Sequence, residues 1–437
     1  MPNAILSPVS ETCEGRFERY IESFADVLGH ADRITPFHSY CTGLVLPGDR
    51  KSVEPMAALI APASVSATRQ SMSHFVANAP WSDVAMLRHS RQYAMPLFES
   101  EPYSFILDDT GIPKKGKLSV GVAKQWCGVL GKQENCQVAV TLSIANERAS
   151  LPIAYRLYLP EEWANDPQRR KRAGVPEDVK FQTKGEIALG EIDRALKEGL
   201  RPDVVLADAG YGNSTEFREQ LTARNLPYAV GIQGTTAVWL PGTEPPPVPS
   251  EYSGKGRPRT SLGQNPDYKP VSVKNLALSL AIEAYREVTW RAGSKGPMTG
   301  RYAILRVRPS RNDYKRREVR PMEWLLIEWP LGEKEPTHYH LSTLPDDATP
   351  EQLVGAVRRR WRIERDYQEL KDELGLDHYE GRGWLGFHHH AALTIATYAF
   401  LMVERGCFPP STHQGHLQRP VPERSPDFKP RGAAASS

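Results

Sequence analysis

The stretch VVLADAGYG, Val204 to Gly212, sets four apolar residues in front of an acid and closes on a glycine-rich turn. A short apolar run bounded by turn residues is the pattern of a strand buried on both faces, as in a parallel sheet covered by helices. Asp208 then falls at the strand's carboxyl end, the edge at which α/β sheets bind ligands. Working outward, Glu186 to Gly199 has helical spacing and ends on glycine, Ser214 to Arg224 reads as a second helix, and PYAVGI (Pro227 to Ile232) as another strand. Upstream, FILDD (Phe105 to Asp109) is an apolar run that ends on acids, while QVAVTLSIA (Gln137 to Ala145) and IAYRLYLP (Ile153 to Pro160) are β-branched or alternating. No crossover helix separates these three strands, which predicts antiparallel pairing.

Three strands, helix, strand, helix, strand is the element order of the ribonuclease H-like fold. The fold class predicted is α/β: a ribonuclease H-like core interrupted by a β-rich insertion, with an N-terminal helical domain. Residues 1–100 carry helix-like spacing (Phe17, Tyr20, Ile21, Phe24, Val27, Leu28) and read as that helical domain, with DNA binding as its expected role. The first part of the core is 101–232. Residues 233–340 form the insertion, where REVTWRAG, YAILRVRP and MEWLLIEWP alternate like strands after the exposed Pro/Gly-rich loop Pro241 to Thr260. Residues 341–404 are the helical part of the core: TPEQLV supplies a Thr cap and an early Pro for a long helix running from near Pro350 towards Gly375. The Pro-, Ser- and Ala-rich residues 405–437 are expected to be disordered.

Composition narrows the function. Among 437 residues, 33 Gly and 37 Pro leave the chain well short of low complexity. The apolar run Ala391 to Val403 is shorter than the ~20 residues a membrane span needs, and the N-terminus lacks the pattern of a secretory signal. A cytoplasmic protein is expected, with no membrane partner. Five scattered cysteines without a C-x-x-C pair speak against a disulfide framework or a zinc knuckle. Net charge is only +3, yet the basic residues cluster: Arg301 to Arg320, which includes Arg316 and Arg317, then Arg358 to Arg365, and Arg169 to Arg172. Three such clusters in a nearly neutral chain point to a polyanion.

Acids stand where this fold exposes them. Asp108 and Asp109 end the first strand and Asp208 the fourth; alternation lets only one of the first pair face a given site. On a regular helix Glu364 borders the buried stripe of Ile363, Tyr367 and Leu370 and shares its face with Arg360 and Lys371. Three acids from distant parts of the chain suit hard divalent cations and chemistry at a phosphodiester. Each acid alone also has an ordinary reading: a capped turn at Asp108-Asp109, turn amides bound by Asp208, and a surface pair between Glu364 and Arg360.

The spacing Arg360, Glu364, Lys371 within RRRWRIERDYQELKDELGLDHYEGRGWLGFHHH resembles the Y-R-E-K signature of bacterial insertion-sequence transposases of the DDE superfamily. ILDDTG, LPEEW, VLADAGYG, WLLIEWP and LSTLP are similar to stretches of one such family, so the likeness runs from about residue 70 to residue 404. It implies Mg2+- or Mn2+-dependent cleavage at transposon ends and strand transfer into target DNA, with Asp108, Asp208 and Glu364 as catalytic metal ligands. The family's D-x-T spacing selects Asp108, leaving Asp109 as the alternative and as partner of the turn amides at Thr110-Gly111. Arg360 and Lys371 would position phosphates. The signature's Tyr is Val357 here; Trp290 or Trp239 would supply the face on which a flipped base stacks. The implied partners are double-stranded DNA, both end repeats and target, and a second copy of the chain in the DNA complex at the nucleoid. A relative that only binds DNA, and a glycosidase using Asp108 and Glu364, are the competing readings. His388 to His390 cannot all meet one ion on a helix and are expected to pack or touch phosphate. Lys114, Lys115 and Lys117 are expected to touch DNA or to solvate a turn.

Overall fold

The computed structural model describes residues 12–249, 259–263, 265–293 and 296–408. Six helices come first: α1 (Cys13–Glu22), α2 (Ala25–Leu28), α3 (Ile34–Val45), α4 (Val53–Ile60), α5 (Val65–Ala77) and α6 (Asp83–Ala94). Side-chain caps start two of them, since Thr12 accepts from the Gly15 amide and Ser82 from the Ala85 amide. Tyr20, Ile21, Phe24 and Leu28 are buried as their spacing predicts, each contributing about 1.5–3 kcal/mol.

Strands β1 (Ser104–Pro113), β2 (Ala123–Cys127), β3 (Lys132–Ala145) and β4 (Ser150–Leu157) follow. β1 pairs antiparallel with β3, whose outer edge takes β2 at one end and β4 at the other. Helices α7 (Glu161–Ala164), α8 (Pro167–Ala173) and α9 (Lys184–Lys197) lead to β5 (Val205–Ala207), then α10 (Ala209–Gly212), α11 (Thr215–Ala223) and β6 (Tyr228–Ile232). β5 lies parallel to β1 and to β6. The core thus has the mixed sheet predicted from the element order, with β2 as an added strand.

The later strands are β7 (Ala237–Trp239), β8 (Val271–Ser272), β9 (Arg286–Gly293), β10 (Gly296–Pro309), β11 (Glu323–Glu328) and β12 (His338–Ser342), with helix α12 (Val273–Ser279) among them. They extend the core sheet, because β12 pairs antiparallel with β6, β11 with β12 and β10 with β11. Strand β12 straddles residue 340, so no break in the sheet marks that boundary. After α13 (Pro350–Arg359) and α14 (Trp361–Gln368) come a π-helical turn, Glu369–Glu373, and α15 (Trp384–Cys407).

Three local expectations are corrected. β1 does not stop at Asp109 but runs to Pro113, because the long partner β3 keeps pairing with it beyond the last β5 residue. VVLADAGYG passes into the one-turn helix α10 instead of a turn. The helix expected from Pro350 to Gly375 is interrupted at Arg360 and again by the π-helical turn, where the Leu374 amide bonds the Glu369 carbonyl.

Side chains alternate across β1, so its two faces join different cores. Phe105 and Leu107 pack with residues of α6, α9 and α15; Ile106 packs with Leu353, Val354 and Ile363 of α13 and α14. The N-terminal helices belong to the first of these cores: Tyr20 Oη donates to the Ala396 carbonyl at 2.8 Å, and Arg16 pairs with Glu404 at 2.6 Å. The apolar run Ala391 to Val403 lies inside α15, and no helix among the described residues is long and apolar enough to cross a membrane. Of residues 405–437, only 405–408 are described, and α15 ends within them.

Candidate active site

Asp108 stands on the face of β1 that looks towards α13 and α14. Its Oδ1 accepts the Asp109 amide at 2.7 Å, and its Oδ2 meets Arg360 Nη1 at 3.0 Å. The other end of the same guanidinium reaches Glu364 Oε1 at 2.5 Å, so Arg360 joins the two acids.

Asp208 follows the last residue of β5, beside the point where β1 carries Asp108. It caps α10, with Oδ1 accepting the Gly210 amide at 2.9 Å and the Tyr211 amide at 3.3 Å. Two glycines let α10 sit directly on β6: a Cβ on Gly212 would lie 2.1 Å from the Gly231 carbonyl, and one on Gly231 2.9 Å from the Ala209 amide. Any larger residue would push Asp208 off the sheet edge.

Asp109 points the other way and pairs with Lys184 of α9. Among the described residues it accepts no bond from the Thr110 or Gly111 amides, because both residues continue β1 in its pairing with β3 instead of forming a turn. Lys371, within the π-helical turn, donates to the Gly111 carbonyl at 3.2 Å and so lies along β1.

Burial pushes Asp108 up to about 7, with Arg360 opposing and Asp208 and Asp109 adding to the rise. Asp208 is also raised, by burial first and then by Asp109. Tyr211 Oη is buried without a hydrogen-bond partner, and its pKa is raised by burial and by Asp109, Asp108 and Asp208. A divalent cation would relieve this crowding of negative charge. Among the described residues no three acid, His or Cys side chains gather closely enough to hold an ion. A hard cation completed by substrate oxygens needs only one or two carboxylates, which Asp108 and Asp208 can supply.

Most predicted DNA-contacting cations are already paired. Arg316 meets Glu219 at 2.6 Å, Arg320 meets Asp313 at 2.7 Å, Arg308 meets Glu244 at 2.8 Å and Arg306 meets Asp346 at 2.8 Å. Arg358 pairs with Glu328 and Arg359 with Asp203. Asp313 belongs to the same run as Arg320, whereas Glu219, Glu244, Asp346, Glu328 and Asp203 come from other segments that folding brings in. Arg317 remains exposed. Trp290 carries the Arg358 guanidinium 4.9 Å from its ring centre. Trp239 is buried and donates to Asp313 at 2.9 Å, so it offers no stacking face. Val357 is buried beside Leu353 and Val354.

His388, His389 and His390 are buried and hydrogen-bonded, and burial holds all three near pKa 4. Packing, not phosphate contact, is their role. Sequence reasoning missed Lys184, Thr141 and Tyr367. Thr141 Oγ1 bonds both the Asp108 carbonyl, at 3.2 Å, and the Tyr367 hydroxyl. Only the strand register, which sets Thr141 opposite Asp108, reveals that link.

Residues 23–297, more than half of the chain, match the DDE superfamily endonucleases. That stretch contains Asp108 and Asp208 but stops short of Glu364. The chain is also 34% identical over 167 residues to a probable transposase for insertion sequence element IS701 from Microchaete diplosiphon, a match covering 38% of this chain and 41% of the relative.

Proposed function

Because the chain belongs to the DDE superfamily endonucleases, we propose that it is an insertion-sequence transposase, cutting DNA at the ends of its element and joining the freed strand to target DNA. The observation that carries this reading is the meeting of Asp108 and Asp208 at one sheet edge, with Glu364 tied to Asp108 through Arg360. Asp108 and Asp208 would hold Mg2+ or Mn2+, and Glu364 would become the third ligand on release from Arg360. Such ions, when bound, activate the attacking oxygen and stabilise the leaving one. Asp109 is the alternative ligand, and its bond to Lys184 on the opposite face favours Asp108.

The remaining steps belong to the chain's own side chains. Both bonds that Asp208 accepts fall on Oδ1, so its orientation is set while Oδ2 stays available as a donor atom. Arg360 presents a planar fork that can exchange a carboxylate for a phosphodiester oxygen. Lys371, anchored on β1, adds positive charge beside the scissile phosphate. Of the insertion residues, exposed Arg317 is the proposed DNA contact; Arg316 and Trp290 would join it only by exchanging Glu219 and Arg358 for DNA. The partners proposed are double-stranded DNA and a second copy of the chain, with action at the nucleoid in the cytoplasm.

The deciding experiment incubates the protein with duplex DNA flanking its own gene, with Mg2+ or with a chelator. Nicking that needs the metal and disappears in Asp208→Asn and Glu364→Gln supports the reading. Binding without nicking by the wild-type chain would select the relative that only binds DNA.

A further inference from the structure

The pairing of the insertion arginines leaves the question of where unneutralised positive charge does gather. It gathers around a groove of about 610 Å3 between the segment that follows β1, strand β2 and helix α8. Lys117, Lys124, Arg172 and Arg382 line it; all four are exposed, and none forms a close ion pair among the described residues, although Lys124 shares with Lys132 the charge of Glu134 on β3. Glu162 also lines the groove, and Arg169 answers its charge at 3.7 Å. The floor is rigid: Trp163 is buried, donates to the Val122 carbonyl at 2.8 Å, and carries the Arg169 guanidinium 3.9 Å from its ring centre.

We propose that this groove binds the phosphodiester backbone of the duplex flanking the cut. The inference rests on the proposed nuclease site and extends it. Strand β1 leads from Asp108 to Pro113, a path of about 17 Å at the usual strand rise, and the chain then continues through Lys117. Lys117 therefore lies past the carboxyl end of β1, the direction in which a duplex leaving Asp108 along that strand would run, while Lys124 on β2 stands beyond β3. Phosphates repeat about every 3.4 Å along one strand of DNA. Four exposed cations, set against Glu162 answered by Arg169 and Glu134 answered by Lys132, fit a row of phosphates. The rim does not touch base edges by necessity, so its contribution is independent of sequence.

The test compares the wild-type chain with a variant carrying Lys117→Ala, Lys124→Ala, Arg172→Ala and Arg382→Ala. Two duplexes from the DNA around its gene are used, one retaining the flank and one stopping at the cut. The variant is expected to bind the flanked duplex at least about tenfold more weakly, with a salt slope reduced by about 3–4, and to bind the truncated duplex as the wild type does. Its melting temperature stays unchanged because the four side chains are exposed. Arg172→Glu alone provides a second variant and should weaken flanked-duplex binding further than Arg172→Ala. Unchanged affinity and slope on the flanked duplex overturn the proposal. So does a loss confined to unrelated duplex DNA, which would assign the groove to target DNA. Nicking is scored on the same duplexes: wild-type protein that binds through the groove but never nicks refutes the transposase reading and leaves the groove standing.

Discussion

Asp108 and Asp109, neighbours in the chain, bind cations on opposite faces of β1: Asp108 meets Arg360 of the helical segment, and Asp109 meets Lys184 of α9. The arrangement predicts different outcomes for one chemical change. Asp108→Asn should abolish Mg2+-dependent nicking. Asp109→Asn should keep most of it and lose about 1 kcal/mol of stability, a drop of about 2 °C in melting temperature, since its ion pair is partly exposed. Nicking lost in Asp109→Asn and kept in Asp108→Asn would reverse the assignment.

A buried acid far from this site gives the protein a pH signature. Burial pushes Glu323 of β11 up to about 7, against the opposing pull of Arg218, Arg320 and Arg306. Between its unfolded value near 4.5 and about 7, the folded state holds the extra proton, so stability falls as pH rises and levels off above about 7. The span is about 3 kcal/mol. Glu323→Gln should make the slope in melting curves taken from pH 4.5 to 8 shallower by that amount, leaving the same-signed shares of buried Asp108 and Asp366. A wild type that gains stability over this range relative to Glu323→Gln would show that the arginines keep Glu323 ionised.

How much of this was legible beforehand depended on the range of the interaction. The strands around Asp108 and Asp208, and the helices between them, follow from local apolar patterning, and so does the order of the core. The interruption at Arg360 and the π-helical turn from Glu369 were not visible, because helical periodicity assumes the register it is used to find. Ion-pair partners were hidden for a different reason. Glu219 precedes Arg316 and Arg320 by a whole insertion, and only the fold brings them together. Charge runs read along the chain therefore overstated the free positive charge of residues 301–320. The same reading did mark Arg169 to Arg172 and Lys117, and of these Lys117 and Arg172 stay exposed on a groove whose acid, Glu162, is answered by Arg169.

That correction can be tested on Arg320, which is buried and pairs with Asp313 and Glu219. Arg320→Ala should cost about 1–3 kcal/mol, because Asp313 loses its cation while keeping its bonds from Trp239 and Ser310, and it should leave the salt dependence of DNA binding unchanged. Arg317→Ala should do the opposite, leaving stability intact and lowering the slope by about one. A slope lowered by Arg320→Ala in a protein of normal stability would put that arginine on DNA instead.

Crowded carboxylates also predict a response to metal that needs no DNA. Mg2+ binding to the folded state alone raises stability by mass action, by about 2.7 kcal/mol at a hundred times the dissociation constant. Thermal melting at pH 8 with and without Mg2+ should show the increase in wild type and lose most of it in Asp108→Asn or Asp208→Asn. An equal rise in all three proteins would place the ion elsewhere.

Tyr367 links the two halves of the candidate site. Its hydroxyl bonds Thr141 on β3, and Thr141 in turn bonds the carbonyl of Asp108, so one short chain of hydrogen bonds fixes α14 against β1. Tyr367 and Thr141 touch no reacting atom in this scheme; they are positioning residues. Tyr367→Phe keeps the ring and removes one bond, at a cost of about 1 kcal/mol. Losing that link lets Asp108 and Glu364 drift relative to each other, and small misplacements of reacting groups are costly in rate. Tyr367→Phe should therefore slow nicking by about tenfold while DNA affinity stays at the wild-type level. Thr141→Val should do the same, and the double variant should be little worse than either single one, because both remove the same link. Additive losses, or a fall in DNA binding that matches the fall in rate, would show that Tyr367 contributes by packing alone.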